Sequence, residues 1–375
     1  MVKRRLLKTP YIEIIVMVSM AVISYGCLGA LSITSQPTAP GDISGSNTII
    51  ILLAFFLLSL MIAMLSVIAG IGGGVIFTPI MLSFTNVNSI IVRATGLIVA
   101  MCSGPVSTGI FIRKGLCNYR LCLVMTLLQG LGALVGASFA VSAARDSGIT
   151  GEGLIRISLG IILILISIYF FIGGKKSEWP IITKIDRITA MMQLDSKFYE
   201  ESDSRVREYR VMRAPLGMFL IFFVGLIGGF FGMGGGWAIT PILNIGMGIP
   251  LKLAAANSGV ILGIGSCVSI WPYIYAGGII PLFVLPWLSG QVIGGVVGSY
   301  ALAKLNVSIV RILLIGIMFF TSFGLITKGM TLVNLIGEVP DIVHVVLFLI
   351  ILIIVIASVQ IRKVRQVRIN DENGK

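Results

Sequence analysis

The sequence predicts an all-α integral membrane protein, a polytopic helical bundle built from two inverted repeats with short helices interrupted by glycine. Of its 375 residues, 57% are hydrophobic and only 11% are charged, and the mean hydropathy is +1.04. Soluble domains carry about 25% charged residues. A soluble chain of this length could not hide so much apolar surface, so the excess must face lipid. A glycine-rich motif that occurs twice indicates the repeat.

Ten apolar segments are long enough to cross a membrane, because a helix needs about 20 apolar residues to span the hydrocarbon core. They are predicted at 11–33, 48–69, 90–112, 118–143, 153–173, 213–231, 252–276, 281–303, 308–328 and 341–361. Two further apolar segments, 71–84 and 233–246, are too short for ordinary spans, and each begins with a run of glycines. The first segment is too long for the apolar core of a signal peptide, so we expect a spanning helix there.

The segments divide the chain into five regions. These are an N-terminal flanking helix with an outside loop (1–47), a first transmembrane repeat (48–173), a cytoplasmic charged loop (174–212), a second transmembrane repeat (213–328), and a C-terminal flanking helix with a basic cytoplasmic tail (329–375). The charged loop is expected to be solvated and partly helical. It serves either as a linker between the halves or as a site of regulation or partner docking.

The distribution of basic residues predicts which side of the membrane each loop faces. If each short segment completes a crossing, most of the 28 Lys and Arg residues fall on one side, as the positive-inside rule requires. Both termini then lie in the cytoplasm of a multi-pass protein of the cell membrane. Each repeat also has an odd number of segments, so the second is inverted relative to the first, an architecture common among secondary transporters.

The two halves keep one register over a long stretch. The segment GIGGGVIFTPI begins at Gly70 and GMGGGWAITPI begins at Gly232, an offset of 162 residues. The same offset pairs Gln129 with Gln291, Gly132 with Gly294, and Gly136 with Gly298. The two GxxxG pairs are expected to be helix-packing faces. This register is the strongest signal in the sequence.

The duplicated motif has the properties of an anion-binding site. Consecutive glycines allow positive φ and the close approach of a ligand. A helix that starts after such a break presents free N–H groups and partial positive charge. Broken helices near the bilayer midplane hold the substrate in many inverted-repeat transporters. The predicted substrate-binding residues are the motif residues and matched polar residues downstream: Gly72, Gly73, Gly74, Thr78, Thr95, Gln129, Gly234, Gly235, Gly236, Thr240, Asn257, Ser258 and Gln291.

These features also have a purely structural interpretation. Runs of glycine let helices pack closely, and buried hydroxyl and amide groups in lipid need hydrogen-bond partners whether or not they bind a ligand. Ser103 and Ser266, which belong to the same polar clusters, are open to both interpretations. Arg93 and Lys252 lie near the motifs and either guide anions or, more simply, snorkel to the membrane interface.

The sequence disfavours several classes of function. No Asp or Glu occurs between Asp42 and Asp146 or between Glu208 and Glu338, and the one histidine is His344. Cation sites recruit intramembrane carboxylates, and intramembrane hydrolases need an acid, a base or a metal. We therefore expect no catalytic residue, no metal and no cofactor. The net charge of +13 comes from the termini and one loop, so we expect no nucleic-acid partner.

The five cysteines form no CxxC pair. Four of them fall in apolar stretches, where thiols usually act as small buried hydrophobic groups. A redox or sulfur-relay role is the alternative.

At the motif residues the sequence resembles the TauE/SafE family of membrane permeases, known as sulfite exporter-like proteins. The similarity rests on the two glycine motifs, the polar stretches Ala94-Thr95 and Ala256-Asn257-Ser258, and the loop segments Phe198-Tyr199-Glu200-Glu201 and Tyr209-Arg210-Val211. It covers roughly residues 48–328. The resemblance implies transport, often export, of sulfite, organosulfonates, sulfoacetate or related sulfur anions. Trp237 stands where a small aliphatic residue is commoner, which argues against a symmetric site.

The predicted function is secondary transport, by export, of a small anion such as sulfite or an organosulfonate. Alternating access would move the two halves around a midplane site between the glycine breaks. The partners are the anion, the lipid bilayer and a possible coupling ion; an oligomer is possible, but the sequence does not specify one. An anion channel would use the same broken helices. An integral membrane enzyme is disfavoured by the lack of embedded acids, and a receptor or scaffold would depend on the charged loop.

Overall fold

The structure of the protein is a computed structural model. It describes residues 45–69, 71–85, 87–113, 116–146, 148–172, 186–200, 205–301, 307–337 and 343. The predicted helix at 11–33, almost all of that at 341–361, and His344 lie outside the described residues. The positions of both termini therefore stay predictions.

The described residues of the first half form five helices. They are α1 (Gly45–Ala69), α2 (Gly74–Phe84), α3 (Ser89–Arg113), α4 (Tyr119–Asp146) and α5 (Gly148–Ile172). The second half contains α7 (Ala214–Phe231), α8 (Gly236–Pro241) followed by the π-helix Ile242–Gly246, α9 (Leu251–Ser269), α10 (Trp271–Tyr275), α11 (Pro281–Ala301) and α12 (Val307–Leu332). Most bounds lie within a few residues of the predicted ones. The predicted helix at 252–276 is interrupted at Ile270, just before Pro272, which has no N–H to continue the helix.

Seven of the described helices are long and apolar enough to cross a membrane. They contain the stretches Ile49–Val67, Tyr119–Arg145, Gly148–Tyr169, Ala214–Phe231, Leu251–Tyr275, Pro281–Gly298 and Ile315–Leu332. The protein is therefore a helical membrane protein, as the sequence predicts. The helices after the glycine runs are short: α2 has 11 residues and α8 has six. At about 1.5 Å per residue, α2 rises roughly 16 Å, about half the hydrocarbon thickness.

The charged loop contains strands, so the expectation of a partly helical loop is incomplete. A short helix, α6 (Arg187–Met192), precedes an antiparallel hairpin of β1 (Ser196–Glu200) and β2 (Arg205–Tyr209). The segment is also less solvated than expected. Its residues Leu194, Tyr209, Val211 and Met212 are buried, and three of them join a hydrophobic cluster that includes residues of α4 and α9. The loop therefore folds against the helical bundle.

Helices of the first half pack along helices of the second half. α1 packs along α11, and α4 packs along α7. A Cβ added to Gly132 on α4 would overlap the carbonyl oxygen of Phe222, and a Cβ on Gly294 on α11 would overlap that of Leu60. The second glycine of each pair makes the matching contact: Gly136 with Leu226, and Gly298 with Met64. The packing role predicted for the GxxxG pairs is confirmed. Each of these contacts between α4 and α7 therefore has a counterpart between α11 and α1 whose two residues lie 162 positions away, as an internal repeat predicts.

Gly132→Ala is expected to lower the free energy of unfolding by roughly 1–3 kcal/mol, because the added methyl group forces α4 away from α7. Thermal unfolding in detergent measures the effect. The matched control is Gly130→Ala on the same helix, where the new Cβ would lie 3.5 Å from Val268, an ordinary contact. Equal melting temperatures for the two variants would contradict the close helix approach.

Candidate functional site

The first glycine break separates α1 from α2. Gly72 has φ of +82°, a left-handed conformation that glycine adopts without strain. The N–H of Gly73 donates to Oγ of Ser103 on α3 at 3.3 Å. The carbonyl oxygen of Gly73 accepts from the N–H of Phe77 at 2.9 Å and so starts α2. The first N–H groups of α2 have no partner within the helix and point back toward the break.

The second break, between α7 and α8, is built differently. Gly232 and Gly234 both have φ of +70°. The N–H groups of Met233 and Gly234 donate to the carbonyl oxygen of Gly228 at 3.0 and 3.2 Å. α8 has only six residues before the π-helix begins. Because α8 continues directly into the π-helix, the helical segment after each break has 11 residues, and the aligned peptide units give both segments a positive N-terminal end.

The two breaks contact each other through their backbones. A Cβ on Gly74 would lie 2.9 Å from the carbonyl oxygen of Met233, and a Cβ on Gly236 would overlap the carbonyl oxygen of Ile71. These two contacts are also related by the 162-residue offset. The structure thus brings together five of the predicted residues: Gly72, Gly73, Gly74, Gly234 and Gly236. The same closeness is what the packing interpretation of the glycines requires, so the glycines alone do not define a site.

Gly73 and Gly235 hold matched places in the motif but have different surroundings. A Cβ on Gly73 would lie 2.5 Å from both Oε1 and Nε2 of Gln291 on α11. A Cβ on Gly235 would instead meet Val224 and Ile239, at 3.0 and 3.1 Å. The first break is therefore lined by a polar side chain at this position, whereas the second is lined by apolar ones.

Gln291 has a buried amide that bonds to none of the described residues. Its side chain is completely buried, and neither Oε1 nor Nε2 has a hydrogen-bond partner among the described residues. Leaving a buried polar group unbonded costs roughly 1–3 kcal/mol. The amide lies against Gly73, directly before the N-terminus of α2. A small molecule with acceptor oxygens could therefore bond to Gln291 and to backbone N–H groups at one place.

Gln129, the matched partner of Gln291, lies beside α9. It is also completely buried, and its amide atoms have no partner in the described part of the chain. A Cβ on Gly265 would overlap its Oε1. The neighbouring Ser266 has a buried Oγ that is likewise unbonded, 3.6 Å from the position of a Cβ on Gly234. A second group of unbonded polar atoms therefore lies next to the second break.

Two predicted threonines are engaged in structural hydrogen bonds. Oγ1 of Thr78 donates to the carbonyl oxygen of Gly232 at 2.8 Å and so ties α2 to the second break. Oγ1 of Thr95 donates to the carbonyl oxygen of Ile91, one turn earlier on α3, at 2.8 Å. Both hydroxyl hydrogens are already used, so neither threonine presents a free donor.

Thr240, Asn257 and Ser258 form a separate polar group on α8 and α9. Oγ1 of Thr240 donates to Oγ of Ser258 at 2.8 Å. Nδ2 of Asn257 donates to the carbonyl oxygen of Leu253 at 2.7 Å, and its Oδ1 accepts from the N–H of Asn118 at 2.9 Å. The structure therefore joins Asn257 to the segment before α4 and not to the glycine breaks.

The expectation that Arg93 snorkels to the interface is wrong, because its side chain is completely buried. Nε and Nη2 donate to the carbonyl oxygen and Oγ of Ser89 at 3.1 and 3.0 Å, and Nη1 donates to the carbonyl oxygen of Phe230 at 3.4 Å. Oη of Tyr273 donates to the carbonyl oxygen of Gly229 at 2.9 Å. A cation and a phenol thus cap the C-terminal carbonyls of α7, which offsets the partial negative charge of that helix end beside the second break.

The electrostatics of the two breaks come from backbone dipoles and one cation. The helices that contain them carry no Asp or Glu. In the part of the chain that the structure describes, no three His, Cys, Asp or Glu side chains lie close enough to hold a metal ion. Arg93, the N-terminus of α2 and the unbonded amides of Gln129 and Gln291 are the groups that can favour a negative or strongly hydrogen-bonding molecule.

Comparison with known proteins places these features in one family. The sequence profile of the sulfite exporter TauE/SafE family matches residues 55–325. The "Probable membrane transporter protein YunE" of Bacillus subtilis (strain 168) is 26% identical over 257 residues, which are 66% of this chain and 88% of that protein. No solved structure matches the chain. The matched range contains both glycine breaks and both glutamines.

Proposed function

Because the chain belongs to the TauE/SafE family of membrane transporters, we propose that it exports a small sulfur oxyanion, sulfite or an organosulfonate, across the cell membrane by alternating access. The binding site in this proposal is centred on the first break. It is formed by the N-terminus of α2 and the side chain of Gln291 beside Gly73. Ser103, whose hydroxyl donates to the carbonyl oxygen of Ala100, supports the site by accepting the N–H of Gly73. Gln129 and Ser266 form the corresponding half of the site beside the second break.

The observation that carries the proposal is the unbonded amide of Gln291 against Gly73. An oxyanion there would accept a hydrogen bond from Nε2 and others from the first N–H groups of α2. Helix N-termini bind anions in many proteins because their N–H groups and dipole point the same way. The site would thereby replace part of the ion's hydration shell, and the buried amide would gain a partner that the described residues do not provide.

The charge of the region supports an anion over a cation. A cation in a low-dielectric site needs a carboxylate or several oxygen ligands, and these helices supply no carboxylate. Arg93 adds a buried positive charge close to the second break. The positive charge of Arg93 and the partial positive charge at the N-terminus of α2 both lower the energy of a negative solute.

The contact between the two breaks supports a carrier over an open channel. The backbone at Gly74 touches Met233, and that at Gly236 touches Ile71, so the two halves are closed against each other at this level. Passage of an ion requires these contacts to separate. A rocking motion of two repeats around a central site does this in other inverted-repeat transporters.

The purified protein in proteoliposomes tests the proposal. The flux of sulfite, thiosulfate, sulfate, a taurine-like sulfonate and a small carboxylate is compared at equal gradients. We expect saturable flux of one of the sulfur oxyanions or the sulfonate, accelerated by the same anion on the opposite side. Counterflow of this kind requires a carrier. Flux that rises linearly with concentration and shows no counterflow would establish a channel, and flux of the carboxylate alone would remove the sulfur assignment.

A further inference from the structure

Two thiols that the transport site does not use lie together at the start of α4. Sγ of Cys117 is 3.5 Å from Sγ of Cys122. Cys117 is partly exposed in the segment before the helix, and Cys122 is buried in the first turn. A disulfide needs an S–S distance of about 2.05 Å. The two sulfurs are therefore in contact but not bonded, and a movement of the segment must bring them closer before a disulfide can form.

The hydrogen bonds of Cys122 connect this thiol pair to α9. Oδ1 of Asn257 accepts both the N–H of Asn118 at 2.9 Å and the thiol of Cys122 at 3.0 Å. The orientation of the Asn257 amide is fixed, because its Nδ2 donates to the carbonyl oxygen of Leu253. If Cys122 formed a disulfide, it would lose the hydrogen that it donates to Asn257.

Asn118, which lies directly after Cys117, joins the charged loop to the bundle. Its Nδ2 donates to the carbonyl oxygen of Leu194 at 2.7 Å and to Oη of Tyr209 at 3.0 Å. Leu194 and Tyr209 belong to the folded part of the loop, at the start and end of the hairpin. One short segment thus contacts the loop on one side, α9 on the other, and carries one of the two thiols.

We propose that Cys117 and Cys122 are a redox-sensitive dithiol whose oxidation by a low-molecular-weight disulfide slows transport. A disulfide would fix the segment before α4 to the first turn of that helix. It would also remove the thiol hydrogen bond to Asn257 and shift the neighbouring Asn118, so the contacts that join the loop and α4 to α9 would change. Because carriers must remake such contacts to expose their site, a change here slows the movement. The effect on transport rests on the proposed transport function, whereas formation of the disulfide does not.

The chemistry is ordinary thiol–disulfide exchange. The Cys117 thiolate attacks one sulfur of the oxidant, forms a mixed disulfide and releases one thiolate. The thiol of Cys122 gives up its proton, and its sulfur then attacks Cys117, forms the intramolecular disulfide and releases the second thiolate. The oxidant gains two electrons and becomes two thiols, and the protein loses two. Cys117 is the more exposed of the two thiols, so the oxidant reaches it first and it acts as the attacking group.

The full chain, treated with oxidised glutathione before reconstitution, tests the proposal. We expect intact mass to show the loss of two hydrogens, peptide mapping to find the Cys117–Cys122 link, and the flux to fall at least about fivefold, in the range of ordinary coupling energies. Dithiothreitol should restore the flux. Cys117→Ser should transport normally, and oxidised glutathione should not change its flux. In Cys267→Ser the oxidant should still lower the flux.

Two results would overturn the inference. If both thiols stay reduced while the oxidant modifies other cysteines, the pair is not an exchange site. If the link forms and flux is unchanged, it has no regulatory role. Because the mass measurement needs no flux, its outcome stands even if the transport proposal fails.

Discussion

Gly73→Ala is expected to lower transport by at least about tenfold, which corresponds to roughly 1.4 kcal/mol of lost transition-state stabilisation. The backbone at Gly73 has φ of −65° and ψ of −32°, which any residue adopts, so the change adds no backbone strain. The new Cβ would lie 2.5 Å from both amide atoms of Gln291. The flexible amide must move away, and in doing so it leaves its place beside the N-terminus of α2. Radiolabelled anion flux in proteoliposomes, at matched protein amounts, measures the effect.

Two further variants separate a lost binding group from simple steric blockage. Gly246→Ala is the control for an added methyl group, since the nearest atom would be 3.8 Å away, on Ile242; it should transport normally. The double variant Gly73→Ala/Gln291→Ala removes the clash, because the shortened side chain no longer reaches Gly73. We expect its flux to stay as low as that of Gly73→Ala. Recovery of flux in the double variant would show that Gln291 is an obstacle there and not a ligand.

Replacing the buried glutamines is expected to have opposite effects on stability and transport. In Gln291→Leu and Gln129→Leu an apolar side chain of similar size takes the place of an amide that is unbonded and completely buried. Removing an unsatisfied polar group leaves the free energy of unfolding unchanged or raises it by roughly 1 kcal/mol. If the amides hold the anion, however, flux should fall by about tenfold or more. Thermal unfolding in detergent and proteoliposome flux measure the two quantities on the same preparations.

Asn118→Leu is the control for an amide that already has partners. Its Nδ2 donates to the carbonyl oxygen of Leu194 and to Oη of Tyr209. The variant leaves these buried acceptors without their donor, so it should melt at a lower temperature. Leucine variants at 129 and 291 that melt as low as this one would mean that those amides are bonded in the protein. Stable variants with normal flux would remove both glutamines from the site.

The sequence predicts the backbone of the site better than its side chains. The glycines at 72, 73, 74, 234 and 236 are recognisable because two matched motifs at a constant offset rarely arise by chance, and the structure brings them together. The amide pair at 129 and 291 follows from the same offset. Hydroxyl groups are harder to assign, because a helical threonine can bond to its own preceding turn, as Thr95 does with Ile91. Nothing in the residue type distinguishes that bond from one to a ligand.

Other features depend on contacts between distant segments and are therefore not visible in the sequence. Arg93 is buried because the carbonyls that end α7 need a cap, and no local pattern shows which helix end will reach it. The hairpin in the charged loop consists of two five-residue strands. Strands this short give only a weak sequence pattern, and the many charged residues around them obscure it. The matched motifs also differ in surroundings, since Gly73 meets Gln291 and Gly235 meets Val224. The register is a property of the sequence, but this asymmetry is a property of the packing.

The pairing of α1 with α11 has a consequence for biosynthesis. Oγ of Ser59 bonds to the carbonyl oxygen of Trp287, and Gly294 receives the backbone of α1 at Leu60. Roughly 210 residues separate the end of α1 from the start of α11, so at about 5–20 residues per second the ribosome needs roughly 10–40 s to deliver the partner. During that time the face of α1 that later receives α11 lacks this partner. The first half on its own is therefore an incomplete folding unit, which matures only when the second half has been translated.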